Sequence, residues 1–229
     1  MDPYLFWPMA LIGFCTMIYG SYTDHRKRSV NFLLFIPLIT VTTLVMILQG
    51  QWIFAILSVI LFLSLFLDSS EMLHFFAVAA ISVIGVLVLL TYSSFELLLS
   101  WIFMIIFAFM GFREVLFGKG DIKAAVSIIY SMALLSVYAG HLISIPLPFL
   151  FFLNLGIASS LAFSWAMFYI WKVTGKFGFA VKFSGKVDEV KFRTMGENGN
   201  IVAYNIPFLI AISIAYFITM VSYLTGSVA

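Results

Sequence analysis

Charge is what this chain of 229 residues has least of: 10% are Asp, Glu, Lys or Arg, against a hydrophobic share of 63%. A water-soluble domain of this length needs far more polar surface. The deficit therefore excludes an aqueous exterior for most of the chain and points to lipid as its solvent. The mean hydropathy of +1.14 agrees. Cysteine is nearly absent as well. Cys15 stands alone, which excludes an internal disulfide and any zinc site built from clustered cysteines. Its place inside an apolar run reads as a small packed hydrophobe. Lys and Arg are missing ahead of the first apolar run, where Asp2 is the only charge. A cleavable signal peptide carries a basic region there, so this run is expected to be a retained first span.

What is present is apolar sequence in lengths that suit a bilayer, which takes about 20 residues per helix. Eight stretches qualify: Tyr4–Ser21, Phe32–Leu48, Trp52–Leu67, Met72–Tyr92, Phe95–Phe117, Ile122–Ala139, Leu147–Trp171 and Ile206–Leu224. Brief polar breaks separate them, such as Gln49-Gly50-Gln51 and Asp68-Ser69-Ser70-Glu71. The composition predicts an all-α polytopic membrane protein of about eight helices, within a range of six to eight.

Basic residues orient such a chain, because Lys and Arg stay cytoplasmic. With the N-terminus outside, the inner segments are Thr23–Asn31, Asp68–Glu71, Gly118–Asp121 with its flanks, and Lys172–Asn205. Every Lys and Arg falls in or beside one of these, and none is left for the outer side. An odd error in the span count would break that partition. The C-terminal Thr225–Ala229 is then expected outside, in a multi-pass protein of the cell membrane.

Three regions follow: a helical domain over 1–171, a small polar unit over 172–205, and a last helix with an external terminus over 206–229. The middle region alternates apolar and polar residues in Phe179–Phe183 and Val190–Arg193, between Gly175, Gly178, Gly185, Gly196 and Gly199. That pattern predicts a small antiparallel β unit on the cytoplasmic face. Its basic residues satisfy the charge rule, and anionic headgroups are the other surface they suit.

Two carboxylates sit at span ends. Asp24 follows the first span, and Asp121 closes Gly118-Lys119-Gly120-Asp121 before the sixth, 97 positions later. The topology places both at the inner boundary. Ionisable groups at that depth are costly and usually functional, although each could simply cap a helix or pair with a nearby cation. Two carboxylates within reach of one water can share a proton, so that one acts as base and the other as acid. Glycines at 118 and 120 free the backbone beside one of them.

Gly118-Lys119-Gly120-Asp121-Ile122-Lys123 resembles the G-x-G-D-x-K signature of the GXGD membrane aspartic proteases, in the type IV prepilin peptidase branch. Asp24-His25-Arg26-Lys27-Arg28-Ser29-Val30 is similar to that branch's D-x-R-x-R-x-I motif. The polar segment before Ile206-Pro207-Phe208 resembles the archaeal preflagellin and prepilin peptidases, where a small soluble domain precedes the last span. The resemblance implies Asp24 and Asp121 as the catalytic pair, supported by Arg26, Gly118, Gly120 and Lys123. It implies archaellin and type IV pilin precursors as substrates, cut at a short basic leader on the cytoplasmic side. It calls for no cofactor, metal or nucleic acid. Family members typically have six spans, so two more are expected between the aspartates here. The lone cysteine leaves no room for the cysteine cluster of the bacterial relatives, which also N-methylate their product.

A basic leader needs acidic acceptors at the inner rim, and Asp68, Glu71 and Glu114 are candidates. His25 adjoins Asp24, while His74 and His141 belong to opposite span ends and form no joint metal site. Two other classes compete. A presenilin-like or signal-peptide-peptidase-like protease has a tyrosine directly before its first aspartate and a Pro-Ala-Leu motif; here Thr23 intervenes after Tyr22, and Pro-Ala-Leu is absent. A proton-coupled transporter or scaffold places its carboxylates near the midplane, and the span interiors here carry no charge.

Overall fold

A computed structural model of the chain describes residues 3–27, 31–66, 71–110, 119–138, 146–183, 185–188, 191–195, 201–204, 206 and 208–226. Eight α-helices account for most of them: α1 Pro3–Lys27, α2 Ile36–Leu48, α3 Trp52–Phe66, α4 Glu71–Tyr92, α5 Phe95–Met110, α6 Lys119–Tyr138, α7 Leu147–Thr174 and α8 Phe208–Gly226. Each corresponds to one of the eight apolar stretches. By length and apolar character, two stand out as able to cross a bilayer, Phe75–Tyr92 of α4 and the whole of α7; the apolar portions of α2, α3, α5 and α8 are shorter than 18 residues.

Local chemistry explains the boundaries. A 3-10 turn over Phe32–Phe35 precedes α2, capped by Asn31, whose Oδ1 accepts from the Leu33 N–H at 3.0 Å. Pro37 then stands in the first turn of α2, where its missing N–H costs nothing. Two helices end on a left-handed glycine: Gly50 (φ 78°) after α2 and Gly175 (φ 71°) after α7, whose N–H reaches the Trp171 carbonyl at 2.7 Å. Any side chain would strain that conformation.

The expected span Tyr4–Ser21 is only part of a longer helix, because α1 continues through Asp24 to Lys27. Nothing between Thr23 and Lys27 breaks a helix, and the polar composition marks an exit from lipid rather than from helical backbone. Cys15 is also corrected: it is exposed on α1 rather than packed, since it falls on the face opposite the stripe that meets α8.

Each helix packs against the next in sequence, and α1 closes the bundle against α8. Links as short as 49–51 and 93–94 force α2–α3 and α4–α5 to run antiparallel. The bonds Ser213–Met17 and Tyr216–Ala10 show the same for α1–α8, and the contacts of each helix with the next and of α6 with the 3-10 turn fit that alternation throughout. The C-termini of α1, α3, α5 and α7 therefore share one end of the bundle with the N-termini of α2, α4, α6 and α8. At the centre lies α6, which touches α1, α2, α3, α5, α7 and α8, and whose residues from Ala124 to Ser136 are all buried. Ala124, Ala125, Ser127, Ser131 and Ala133 keep it slender enough for neighbours to approach on every side. A helix enclosed by protein has no need of lipid-grade hydrophobicity, which is why α6 is less apolar than α4.

Polar bonds tie the helices crosswise. Thr43 of α2 and Tyr130 of α6 share a hydrogen bond of 3.0 Å, Asn154 of α7 donates to Thr219 Oγ1 of α8 at 3.0 Å, and Trp101 Nε1 of α5 reaches the Ser82 carbonyl of α4 at 3.4 Å.

Between α7 and α8 lies a three-stranded antiparallel sheet, β1 Ala180–Lys182, β2 Phe192–Met195 and β3 Ile201–Tyr204, in the order β1-β3-β2. The expected β unit is present, with a third strand that the alternation did not reveal, since Ile201-Val202-Ala203-Tyr204 has no alternating polar residues. The unit is docked rather than tethered. Val181, Phe192 and Val202 pack on Ile170 of α7, and Tyr204 stacks on Tyr169.

Candidate catalytic site at the α1–α8 junction

α1 shows Gly13, Met17, Gly20 and Asp24 at spacings of four, three and four residues, which forms a single stripe on a helix. This stripe faces α8. A methyl group added at Gly13 would fall on the Tyr216 hydroxyl, and one at Gly20 would lie 2.7 Å from Leu209 Cδ2. Hydrogen at both positions is what lets the two backbones meet. The seam is then bonded along its length. Ser21 and Ser213 share a hydrogen bond, Ser213 Oγ also reaches the Met17 carbonyl at 3.2 Å, and Tyr216 Oη donates to the Ala10 carbonyl at 3.4 Å.

Close approach carries Asp24 onto the beginning of α8. The Asp24 side chain is 6% exposed, and its Oδ2 accepts from the Leu209 N–H at 3.2 Å. Leu209 is the second residue of α8, so its N–H is one of those the helix itself leaves unsatisfied. The partial positive charge of a helix N-terminus further favours an anion there. One site contact was thus missed in the sequence: a backbone donor has no side-chain signature, and its only signal was a proline at 207 opening an apolar run.

Asp121 is the third residue of α6, in its first turn, and is half-buried. Antiparallel packing puts that N-terminus at the same end of the bundle as Asp24, and α6 touches both α1 and the 3-10 turn that follows it. Lys123 is half-buried beside it in the same helix. Gly120 differs from expectation, since it lies within α6; its backbone freedom is not used as a loop, and Gly118 lies outside the described residues.

The remaining predicted residues divide. Arg26 is exposed, with its guanidinium 5.0 Å from the Tyr22 ring centroid, a cation–π contact that keeps it on its own helix. His25 is exposed next to it. Glu71 opens α4 at the same end as the two aspartates. Asp68 and Glu114 lie outside the described residues. Among the described residues, no group of three or more His, Cys, Asp or Glu converges as a metal site would require.

No protein-family model, curated protein or solved structure matches the chain.

Proposed function

We propose that the chain is a membrane-embedded aspartic endopeptidase of the GXGD prepilin-peptidase kind, in which Asp24 and Asp121 activate water. The observation that carries this reading is the burial of Asp24, the one charged side chain among the described residues to be buried. A carboxylate kept from water at a helix end, with a second carboxylate heading the enclosed helix at the same end, is an arrangement acid–base hydrolysis can use. In this mechanism one carboxylate takes a proton from water, which attacks the scissile carbonyl, while the other, protonated, donates to the carbonyl oxygen. The tetrahedral intermediate then collapses as its nitrogen gains a proton and leaves. The Leu209 N–H holds the Asp24 carboxylate in a fixed orientation for this chemistry.

The reading includes eight crossings, both chain ends outside, and the catalytic end at the cytoplasmic face, supported by the partition of Lys and Arg. Its substrates are archaellin or type IV pilin-like precursors with a short basic leader. Purified protein incubated with a pilin precursor tests it. Wild-type protein should cut the leader, and Asp24→Asn and Asp121→Asn should each abolish cutting while remaining folded. Cleavage retained by either variant refutes the pair.

The Asp24–Leu209 bond also favours a second reading, a non-enzymatic membrane scaffold in which Asp24 only caps α8. Asparagine keeps an oxygen to accept from Leu209, so this alternative expects Asp24→Asn to change nothing.

A further inference from the structure

The β unit lies where the lipid-facing side of α7 ends. Ile157, Leu161, Trp165 and Phe168 are exposed along one side of that helix, at spacings that keep them on one face. The side then turns aromatic: Trp165 meets Phe168, Phe168 meets Trp171, and Trp171 stacks on Phe177 in the loop after the helix, with centroids 5.6 Å apart. Phe177 and Phe179 remain 69% and 60% exposed. Phe179 turns back edge-on to Phe163 of α7 at 5.7 Å, so the rings form a band along the end of α7, the kind of aromatic belt that marks where hydrocarbon gives way to headgroups.

Charge takes over at that level. The segment 172–205 carries six Lys or Arg against three Asp or Glu. Lys172, Lys182 and Lys186 are exposed, Lys176 is braced by its Nζ donating to the Lys182 carbonyl at 3.0 Å, and Lys191 pairs with Asp188 at 3.3 Å. The packing of Val181, Phe192 and Val202 on Ile170 holds the sheet beside the last turns of α7 rather than out in the cytoplasm.

We infer that the α7–β1 loop and the sheet form a docking face for anionic phospholipid headgroups, with Phe177 and Phe179 in the interface and the lysines on lipid phosphates. This rests on the membrane topology proposed above. A protein partner fits less well, because the aromatic band is continuous with the lipid-facing side of α7, and basic residues facing an anionic leaflet are attracted to it. The face also bears on the proposed site. β3, the central strand, leads within a few residues to Leu209, which holds Asp24.

The test uses the full chain with Cys15→Ser and a fluorophore on a single cysteine, either Ala180→Cys in β1 or Leu87→Cys on the exposed side of α4. Bilayers are phosphatidylcholine alone or mixed with phosphatidylglycerol, containing lipids with a quencher at the headgroup or in the acyl chain. We expect headgroup lipid to quench the probe at 180, about twofold or more strongly with phosphatidylglycerol. Joint Lys172→Glu, Lys182→Glu and Lys186→Glu changes should remove the difference while the probe at 87 still reports acyl chains. Equal quenching in both bilayers, no quenching at 180, or indifference to charge reversal overturns the proposal. A probe at 87 that acyl-chain lipid fails to quench sinks the membrane topology itself, and this face with it.

Discussion

Asp24 and Leu209 are 185 positions apart, yet the carboxylate of one accepts the backbone N–H of the other at 3.2 Å. That bond joins the end of α1 to the start of α8, beside Ser21 Oγ donating to the Leu209 carbonyl at 3.3 Å, and it separates two roles that one substitution would confound. Asp24→Asn keeps an oxygen in place, so the cap persists and the base is lost; cleavage should disappear with little change in unfolding temperature. Asp24→Ala removes both. Losing a helix cap costs about 1–2 kcal/mol, so this variant should be inactive and measurably less stable in detergent. Thermal unfolding alongside cleavage of a pilin precursor reads both effects, and an Asp24→Asn protein that still cuts would assign Asp24 to capping alone.

Asp121 stands in the first turn of α6, where a negative charge is worth about 0.3–1 kcal/mol to the helix. Asp121→Asn should therefore cost little stability while abolishing detectable cleavage, a loss of about a hundredfold at the least for removal of a general acid or base. Asp121→Glu keeps the charge and moves it by one methylene. It should preserve the helix and still fail at cleavage, because positioning rather than charge is limiting. Single-turnover rates measured against unfolding curves decide the matter.

How much of this was legible in the residues follows from the physics of each feature. The eight helices were, because runs of apolar residues and glycine-marked ends such as Gly50 and Gly175 are local signals. The sheet was visible in β1 and β2 through alternation, whereas β3 was hidden because Ile201-Val202-Ala203-Tyr204 puts apolar or aromatic residues on both faces, although only Val202 is buried. Cys15 was misread as packed, since an apolar run does not say which side of a helix faces the bundle. The enclosure of α6 and the capping of α8 by Asp24 depend on which helices touch, and contacts between distant residues such as Gly20 and Leu209 leave no local pattern.

The α1–α8 seam depends on glycine, as does the α4–α5 contact, where a methyl group at Gly85 would meet the Trp101 indole. A methyl group at Gly13 would collide with the Tyr216 hydroxyl, which is itself bonded to the Ala10 carbonyl, whereas nothing lies within 4 Å of the same position at Gly156. Gly13→Ala should therefore destabilise the protein by about 1–3 kcal/mol through overpacking. Gly156→Ala, a change from glycine to a good helix former in an open position, should be neutral or stabilise by up to about 1 kcal/mol. Since the seam also delivers Asp24 to Leu209, Gly13→Ala should slow cleavage and Gly156→Ala should not. Matched unfolding temperatures for the two variants would contradict this account of the seam.

Accessibility of introduced cysteines distinguishes eight crossings from two. Cys15 is exposed and must first be replaced by serine. In the eight-span arrangement, Gln51 after α2 and Ser94 after α4 lie at the same end of the bundle, opposite His25 and Lys176. Cysteines at 51 and 94 should then react with an impermeant thiol reagent added outside, and those at 25 and 176 only after the membrane is opened. A chain crossing solely through α4 and α7, the two longest apolar helices, would put a single crossing between 51 and 94 and so place them on opposite sides. Opposite labelling of those two positions would therefore overturn the eight-span topology, and with it the argument that Asp24 and Asp121 meet the membrane at one face.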